Sequence, residues 1–338
     1  MNRGVLSGRD LAAALGVIVI WGLNFVAMKV ALRDFTPMQL GAARYVFAAL
    51  PMVLFVRRPA VPWAVVAAYG LAQGLGQFGL LFLALQAGMT AALASVLMQT
   101  QVFFTALFAY FALHERLTRP LAGGLSFAGA GVACFLAGFA GAGPTQAAGV
   151  TLAGFALNLC AAAMWSLSNI VVRRLQRTHP GYEPLQLVVW ASLAPVLPFI
   201  VLSAAIDPPS SHMAWVHASL TAWLGTAYLG WFATLLAYVL WTGLLTRHPT
   251  ARVAPFSLGV PVVGLVAGMG LLGEHVTAWQ AAGVGCTAVA LAAVLLGGRS
   301  GRSAEAVSAS AQRTRKQEMA KPPSLTVSKT KPGVLSHK

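Results

Sequence analysis

Two cations lie inside long apolar runs of this sequence, Lys29 and Arg44. A charge within a hydrocarbon layer is costly, so an ionisable side chain there is a functional candidate by default. Lys29 falls near the outer end of the first run and Arg44 about two turns into the second, counted from the same side. At about 1.5 Å per residue both reach a similar depth. A cationic pair is the natural receptor for a carboxylate. The competing reading is mechanical: long basic side chains snorkel to headgroups, and an arginine can tie down helix ends by bonding their carbonyls.

The central parts of the runs carry neutral amides: Asn24, Gln73, Gln77, Gln99, Gln101, Asn158 and Asn169. An unpaired amide in hydrocarbon is expensive, so each either bonds a neighbouring helix or faces water. Such a set in one bundle points to a wet cavity, and amides, which both donate and accept, suit a zwitterion. Trp21, Trp165, Tyr238 and Trp241 are placed to wall that cavity, with plain packing as the alternative. The candidate substrate-binding set is Trp21, Asn24, Lys29, Arg44, Gln77, Gln99, Gln101, Trp165, Asn169 and Tyr238.

Catalytic and cofactor signals are missing around them. His114, His179, His212, His217, His248, His275 and His337 are scattered over loops and interfaces, never at a helical spacing from Asp or Glu within a run. Cys134, Cys160 and Cys286 sit singly in apolar runs, which argues against a disulfide framework or a metal site. No GxxxxGK[ST] segment exists, so ATP is not the drive, and no cofactor is expected. No carboxylate lies near the centre of a run, so proton coupling is not evident. Glu115 and Glu274 end the fourth and ninth runs at opposite faces and read as caps or salt-bridge partners before gates.

The elements that must position these groups are membrane helices. The chain is 58% hydrophobic and 9% charged, where a soluble domain carries about a quarter charged residues. Eight acidic residues cannot wet a globular surface of 338 residues. That excludes a soluble enzyme, a nucleic-acid binder and a disordered scaffold. Apolar runs of about 20 residues, the length that crosses a hydrocarbon core of about 30 Å, recur along the whole chain. They predict an all-α membrane protein of ten transmembrane helices at 11–32, 38–56, 63–86, 90–112, 120–140, 149–172, 185–206, 218–245, 250–272 and 278–297. The first is too long for a signal-peptide core and no cleavage site follows it. Pro51, Pro195, Pro198, Pro255 and Pro261 are internal and should kink their helices, with Ser257–Gly259 an unwindable stretch between the last two.

The net charge of +15 suggests nucleic acid only until the charges are placed. Eleven Lys and Arg fall on the side holding the N-terminus, two on the other, one (Arg44) within a span and nine in the tail. That bias puts both termini in the cytoplasm. Residues 1–10 form a short cytoplasmic N-terminus. The basic segment 298–338, poor in apolar residues, is expected to be a disordered cytoplasmic tail, serving as a topology anchor or touching anionic lipid.

The two halves resemble each other. Pro37, Gln39, Leu40 and Pro51 recur 147 residues later as Pro184, Gln186, Leu187 and Pro198. Trp21–Asn24–Lys29 resembles Trp165–Asn169–Arg173, and a shift of 159 carries Tyr69, Glu115, Thr118 and Gly124 onto Tyr228, Glu274, Thr277 and Gly283. Repeats of five spans each, 11–140 and 149–297, enter the membrane from opposite sides. This is the inverted-repeat plan of secondary transporters, with the substrate near mid-membrane between the copies.

The segments WGLNFVAMKVAL, HERLT and GEHVT make the chain similar to the EamA family of the drug/metabolite transporter superfamily, over roughly residues 10–297. Within it, AQGLGQFGLLFLALQAGMTAALASVLMQTQVFFTALFAYFALHERL and RVAPFSLGVPVVGL resemble bacterial inner-membrane exporters of O-acetylserine and cysteine. The resemblance implies two inverted five-helix repeats and export of a small zwitterionic amino-acid metabolite by alternating access. The tail is extra, and His275 follows Glu274 where a stronger base is usual. Expected partners are that metabolite and membrane lipids, with no nucleic acid; the oligomeric state is left open and a monomer is compatible. The alternatives are a carrier for another amino acid, a purine or a cationic drug, or a membrane-embedded enzyme or sensor.

Overall fold

The computed structural model describes residues 7–50, 52–113, 119–141, 150–248 and 250–293. Pro51, Glu115, Thr118 and the 298–338 tail lie outside them. The described chain is helical throughout. Eight helices are long and apolar enough to cross a membrane: α1 Gly8–Ala31, α2 Pro37–Phe55, α3 Trp63–Gln86, α4 Ala91–Ala112, α5 Ala122–Phe139, α6 Leu152–Thr178, α7 Pro184–Ile206 and α8 Leu220–Leu245. Two shorter apolar helices follow, α9 Phe256–Leu272 and α10 Ala278–Ala293. Each of the ten predicted runs holds an apolar helix among its described residues, but the last two helices are shorter than the usual span.

Helix starts follow from side-chain chemistry. Ser7, Thr36, Thr90, Thr151 and Ser219 each accept from the amide three residues on, at Asp10, Gln39, Leu93, Gly154 and Ala222. Each such cap stabilises a helix end by about 1 kcal/mol. Gly273, left-handed at φ 64°, stops α9 and turns the chain so that Glu274 points back across the bundle.

The interruptions are more informative than the helices. α3 widens into a π-helix at Leu71–Gly79 and α8 does so at Tyr228–Leu236. α4 tightens to a 3-10 turn at Met98–Thr100, and a second one, Ala254–Leu258, leads into α9. α7 breaks into turns at Ser192–Pro195. The unwindable stretch at Ser257 is thus 3-10 in the structure. The third spans of the two halves align with a shift of 157, which carries both Trp63 onto Leu220 and Leu71 onto Tyr228. The sequence match of Tyr69 to Tyr228 is therefore two residues out of register. Long apolar helices slide past one another in sequence comparison because one hydrophobic residue substitutes for the next.

Helix α1 crosses α9 in close contact. A Cβ on Gly22 would come within 2.5 Å of the Val263 Cβ and 3.2 Å of the Gly264 amide nitrogen, so only glycine admits this approach. On its other side Gly264 packs against Ser95 of α4. The main core gathers Phe25, Met28, Leu81, Leu85, Leu93, Leu97, Phe135 and Phe155 around this crossing.

Candidate functional site

Arg44 is 2% exposed, the largest fully buried side chain among the described residues. One terminal nitrogen donates to Asn24 Oδ1 at 3.4 Å and the other to Thr234 Oγ1 at 3.2 Å. Its Nε, though buried, has no hydrogen-bond partner. The guanidinium carbon lies 3.7 Å from the centre of the Phe78 ring, a cation–π contact that in a desolvated site is worth about 2 kcal/mol. No carboxylate pairs with it among the described residues. A buried charge is normally paired; this one is held by two long hydrogen bonds and a ring face.

The π-helices supply two of those partners. Phe78 belongs to the widened turn of α3 and Thr234 to that of α8. The Thr234 hydroxyl donates to Leu229 O, five residues back, at 2.8 Å, which is the π spacing and leaves its lone pairs for Arg44. π-turns often mark functional sites because they re-aim side chains that a regular helix would hide. Gln77, beside Phe78, is 4% exposed and its Oε1 is unpartnered; Asn158 of α6 is fully buried with both amide atoms unpartnered. These atoms and Arg44 Nε are the buried side-chain polar atoms without a partner among the described residues.

An aromatic wall stands beside Arg44. Trp21 Nε1 donates to Ala233 O at 3.0 Å, and its ring meets Tyr238 at 6.2 Å and Trp241 at 5.6 Å. Tyr238 shares a hydroxyl contact of 3.1 Å with Tyr69 and accepts from Gln73 at 3.5 Å. Trp165 packs on the main core and Gln99 is buried in the 3-10 turn of α4.

Lys29 is engaged elsewhere. Its ammonium donates to Leu85 O at 2.8 Å and Met89 O at 2.9 Å, tying down the end of α3. The carbonyl-bonding role that the sequence allowed for Arg44 is thus taken by Lys29. Lys29 lines a pocket of about 550 Å³ with Arg33, Gln86, Thr90, Glu274 and His275. Within it the Glu274 carboxylate accepts from the Ala91 and Ala92 amides, each at 2.8 Å, and so caps α4 from the other half of the chain. Residue type and position made Glu274 a cap; its target helix is a tertiary fact.

Gln101 and Asn169 meet at a third place. Asn169 Nδ2 donates to Gln101 Oε1 at 3.0 Å and to Thr105 Oγ1 at 3.3 Å, joining α6 to α4. With Val102, Val172, Arg173 and Gln176 they line a pocket of about 370 Å³. The ten candidate residues therefore divide. Trp21, Asn24 and Tyr238 gather with Arg44 around α1 and α8, Lys29 joins the Glu274 pocket, and Gln101 and Asn169 form the α4–α6 pocket. Sequence reading missed Phe78, Thr234 and the pairing of Thr105; a hydroxyl in mid-span was the available signal for the last two.

Residues 10–137 and 152–296 match the EamA-like transporter family. A probable amino-acid metabolite efflux pump of Salmonella typhimurium (strain LT2) is 39% identical over 280 residues, 82% of this chain and 92% of the relative. A protein of the same description from Escherichia coli K12 is 37% identical, covering 81% and 91%. A probable terminal-alkyne amino-acid exporter of Streptantibioticus cattleyicolor is 26% identical, covering 76% and 83%. A crystal structure sharing 18% identity superposes with a TM-score of 0.56 over 87% of this chain and 99% of its own, so the fold is common to both. With its buried polar groups spread over two matched units, the chain belongs to the EamA-like transporter family as a multi-pass membrane protein of duplicated design.

Proposed function

We propose that the chain is a secondary exporter of small zwitterionic amino-acid metabolites, of the O-acetylserine and cysteine type, in the bacterial inner membrane. Ten helices form two inverted repeats with both termini cytoplasmic, and alternating access carries the substrate. The observation that carries this reading is Arg44, a buried guanidinium with no carboxylate partner among the described residues. A substrate carboxylate would supply that partner. Gln77 Oε1 and the Asn158 amide, buried and unpartnered, offer acceptors and donors for the ammonium end and side chain.

The test is flux of labelled O-acetylserine and cysteine in proteoliposomes. Arg44→Gln should weaken apparent affinity about ten- to a hundredfold, since a hydrogen bond to a charged group is worth about 1.5–3 kcal/mol. Analogues lacking the carboxylate should be carried by this variant no worse than by the parent. Lys29→Met, which removes a tie between helices, should depress both substrate classes alike. Parent-like affinity in Arg44→Gln would end the role of Arg44, and a parent that moves purines or cationic drugs but no amino acid would replace the substrate.

A further inference from the structure

The pocket of about 550 Å³ beside Lys29 carries both signs of charge in one lining. Arg33 brings a guanidinium, Glu274 a carboxylate, Gln86 an amide and Thr90 a hydroxyl. Its walls come from both halves of the chain: α1 and the α3–α4 link from the first, and the turn that ends α9 from the second. Carriers built from inverted repeats hold their cargo between the copies. The volume is within the range of small-molecule sites, roughly 300–1,000 Å³. Counted along α1, Lys29 lies five residues past Asn24, which accepts from Arg44. The pocket is therefore displaced from the Arg44 site by about 7.5 Å along that helix.

The charges are fixed by their surroundings. Each Glu274 oxygen accepts an α4 amide at 2.8 Å, which locks the carboxylate in place. An ionised carboxylate offers about four acceptor sites, so capacity remains for a ligand. Lys29 spends its ammonium on Leu85 O and Met89 O and so fixes the wall at the end of α3. Asp34, next to Arg33 in sequence, gives its carboxylate to Ser219. Among the described residues no ion pair joins Glu274 to Arg33 or Lys29, although all three line one cavity. Opposite charges that share a cavity without closing on each other suit a molecule that carries both. We propose that this pocket is a second substrate subsite for zwitterionic metabolites, in which the planar fork of Arg33 takes the carboxylate and Glu274 takes the ammonium. The inference rests on the exporter reading and adds two specificity residues to it, at a place separate from Arg44.

Thiol labelling tests each end of the ligand. In a protein with Cys134, Cys160 and Cys286 replaced by serine, His275→Cys places a reporter in the pocket lining. Maleimide labelling of the purified protein is timed with and without O-acetylserine, which has no thiol. At twice its half-protecting concentration, O-acetylserine should slow labelling about threefold by simple occupancy. Two analogues divide the contacts: its carboxamide lacks the carboxylate, and 3-acetoxypropionate lacks the ammonium. Each should protect the parent only at a concentration about tenfold higher or more. Arg33→Gln should bring the carboxamide level with O-acetylserine and leave 3-acetoxypropionate behind; Glu274→Gln should do the reverse. Arg33→Lys, which keeps the charge, should still prefer O-acetylserine to the carboxamide. Each comparison is a ratio within one variant, so a pocket loosened by loss of the Glu274 cap does not imitate the result. Arg44→Gln should keep both ratios of the parent; their collapse there would place the recognition at Arg44 and overturn the subsite. Unchanged ratios in Arg33→Gln and Glu274→Gln would overturn it too, as would absent protection in a protein that still exports O-acetylserine. Protection without flux in the parent would sink the exporter reading and leave the subsite standing.

Discussion

The crossing of α1 with α9 and the crossing of α4 with α6 are the same helix pair by descent, yet one is sealed and the other holds a pocket. Glycine makes the difference at the first. Gly22 and Gly264 bring backbones so close that no side chain fits between them, whereas Thr105, Ser166 and Asn169 hold a space lined with hydrogen-bonding groups. A duplicated fold can thus display two arrangements of one interface in a single structure. The sealed crossing is supported by ties around its edge: Glu274 on the α4 amides, Lys29 on the α3 carbonyls, and Asp34 on the start of α8.

The largest effect on this contrast should come from Gly22→Val. Its Cβ would meet Val263 at 2.5 Å, and overpacking of a tight core costs typically about 1–3 kcal/mol. Thermal unfolding in detergent should fall by several degrees and flux should be lost, while Ser166→Gly at the equivalent place should leave the protein folded. Equal tolerance of both would erase the distinction between the crossings. Next in size is Glu274→Gln. It keeps the shape but removes the charge from a cap on two amides, at a cost near 1 kcal/mol. A cysteine placed at Thr90 should then become more accessible to a thiol reagent, and unchanged labelling would mean that the cap does not hold this pocket shut.

The smallest effect belongs to Asp34. The Ser219 hydroxyl and the Ser219 amide, the latter at 2.8 Å, donate to its carboxylate, and they hold its pKa below the ordinary 3.8. A lowered carboxylate pKa contributes stability above 3.8 that fades as pH falls through the folded value. The melting temperatures of the parent and Asp34→Asn should differ slightly at pH 6, and the gap should close progressively as pH falls below 3.8. A gap that widens on acidification would reverse the assignment.

How much of this was legible in the sequence depends on the kind of interaction. Helix positions followed from apolar length, and Arg44 from charge, because both are properties of one residue or one run. Phe78 and Thr234 were hidden because their roles depend on which helix lies opposite. The π-turns at Leu71 and Tyr228 were hidden for another reason: membrane spans are apolar on most faces, so hydropathy carries little record of helical phase. Lys29 was seen as a charge in the membrane, but its acceptors are backbone carbonyls, which no side-chain pattern announces. Gln101 and Asn169 stood out only as two members of a set of amides, and their pairing follows from the packing of α4 on α6.

The two π-turns also correspond. Each occupies nine residues at the same place in the third span of its half, although the residues filling them, LAQGLGQFG and YLGWFATLL, have little in common. A widened turn gives up regular hydrogen bonding and persists only where it is selected. Its presence in both matched units makes it a part of the duplicated design rather than an accident of either sequence. Each π-turn lends one partner to Arg44, Phe78 from one half and Thr234 from the other, so a single buried cation registers the geometry of both copies at once.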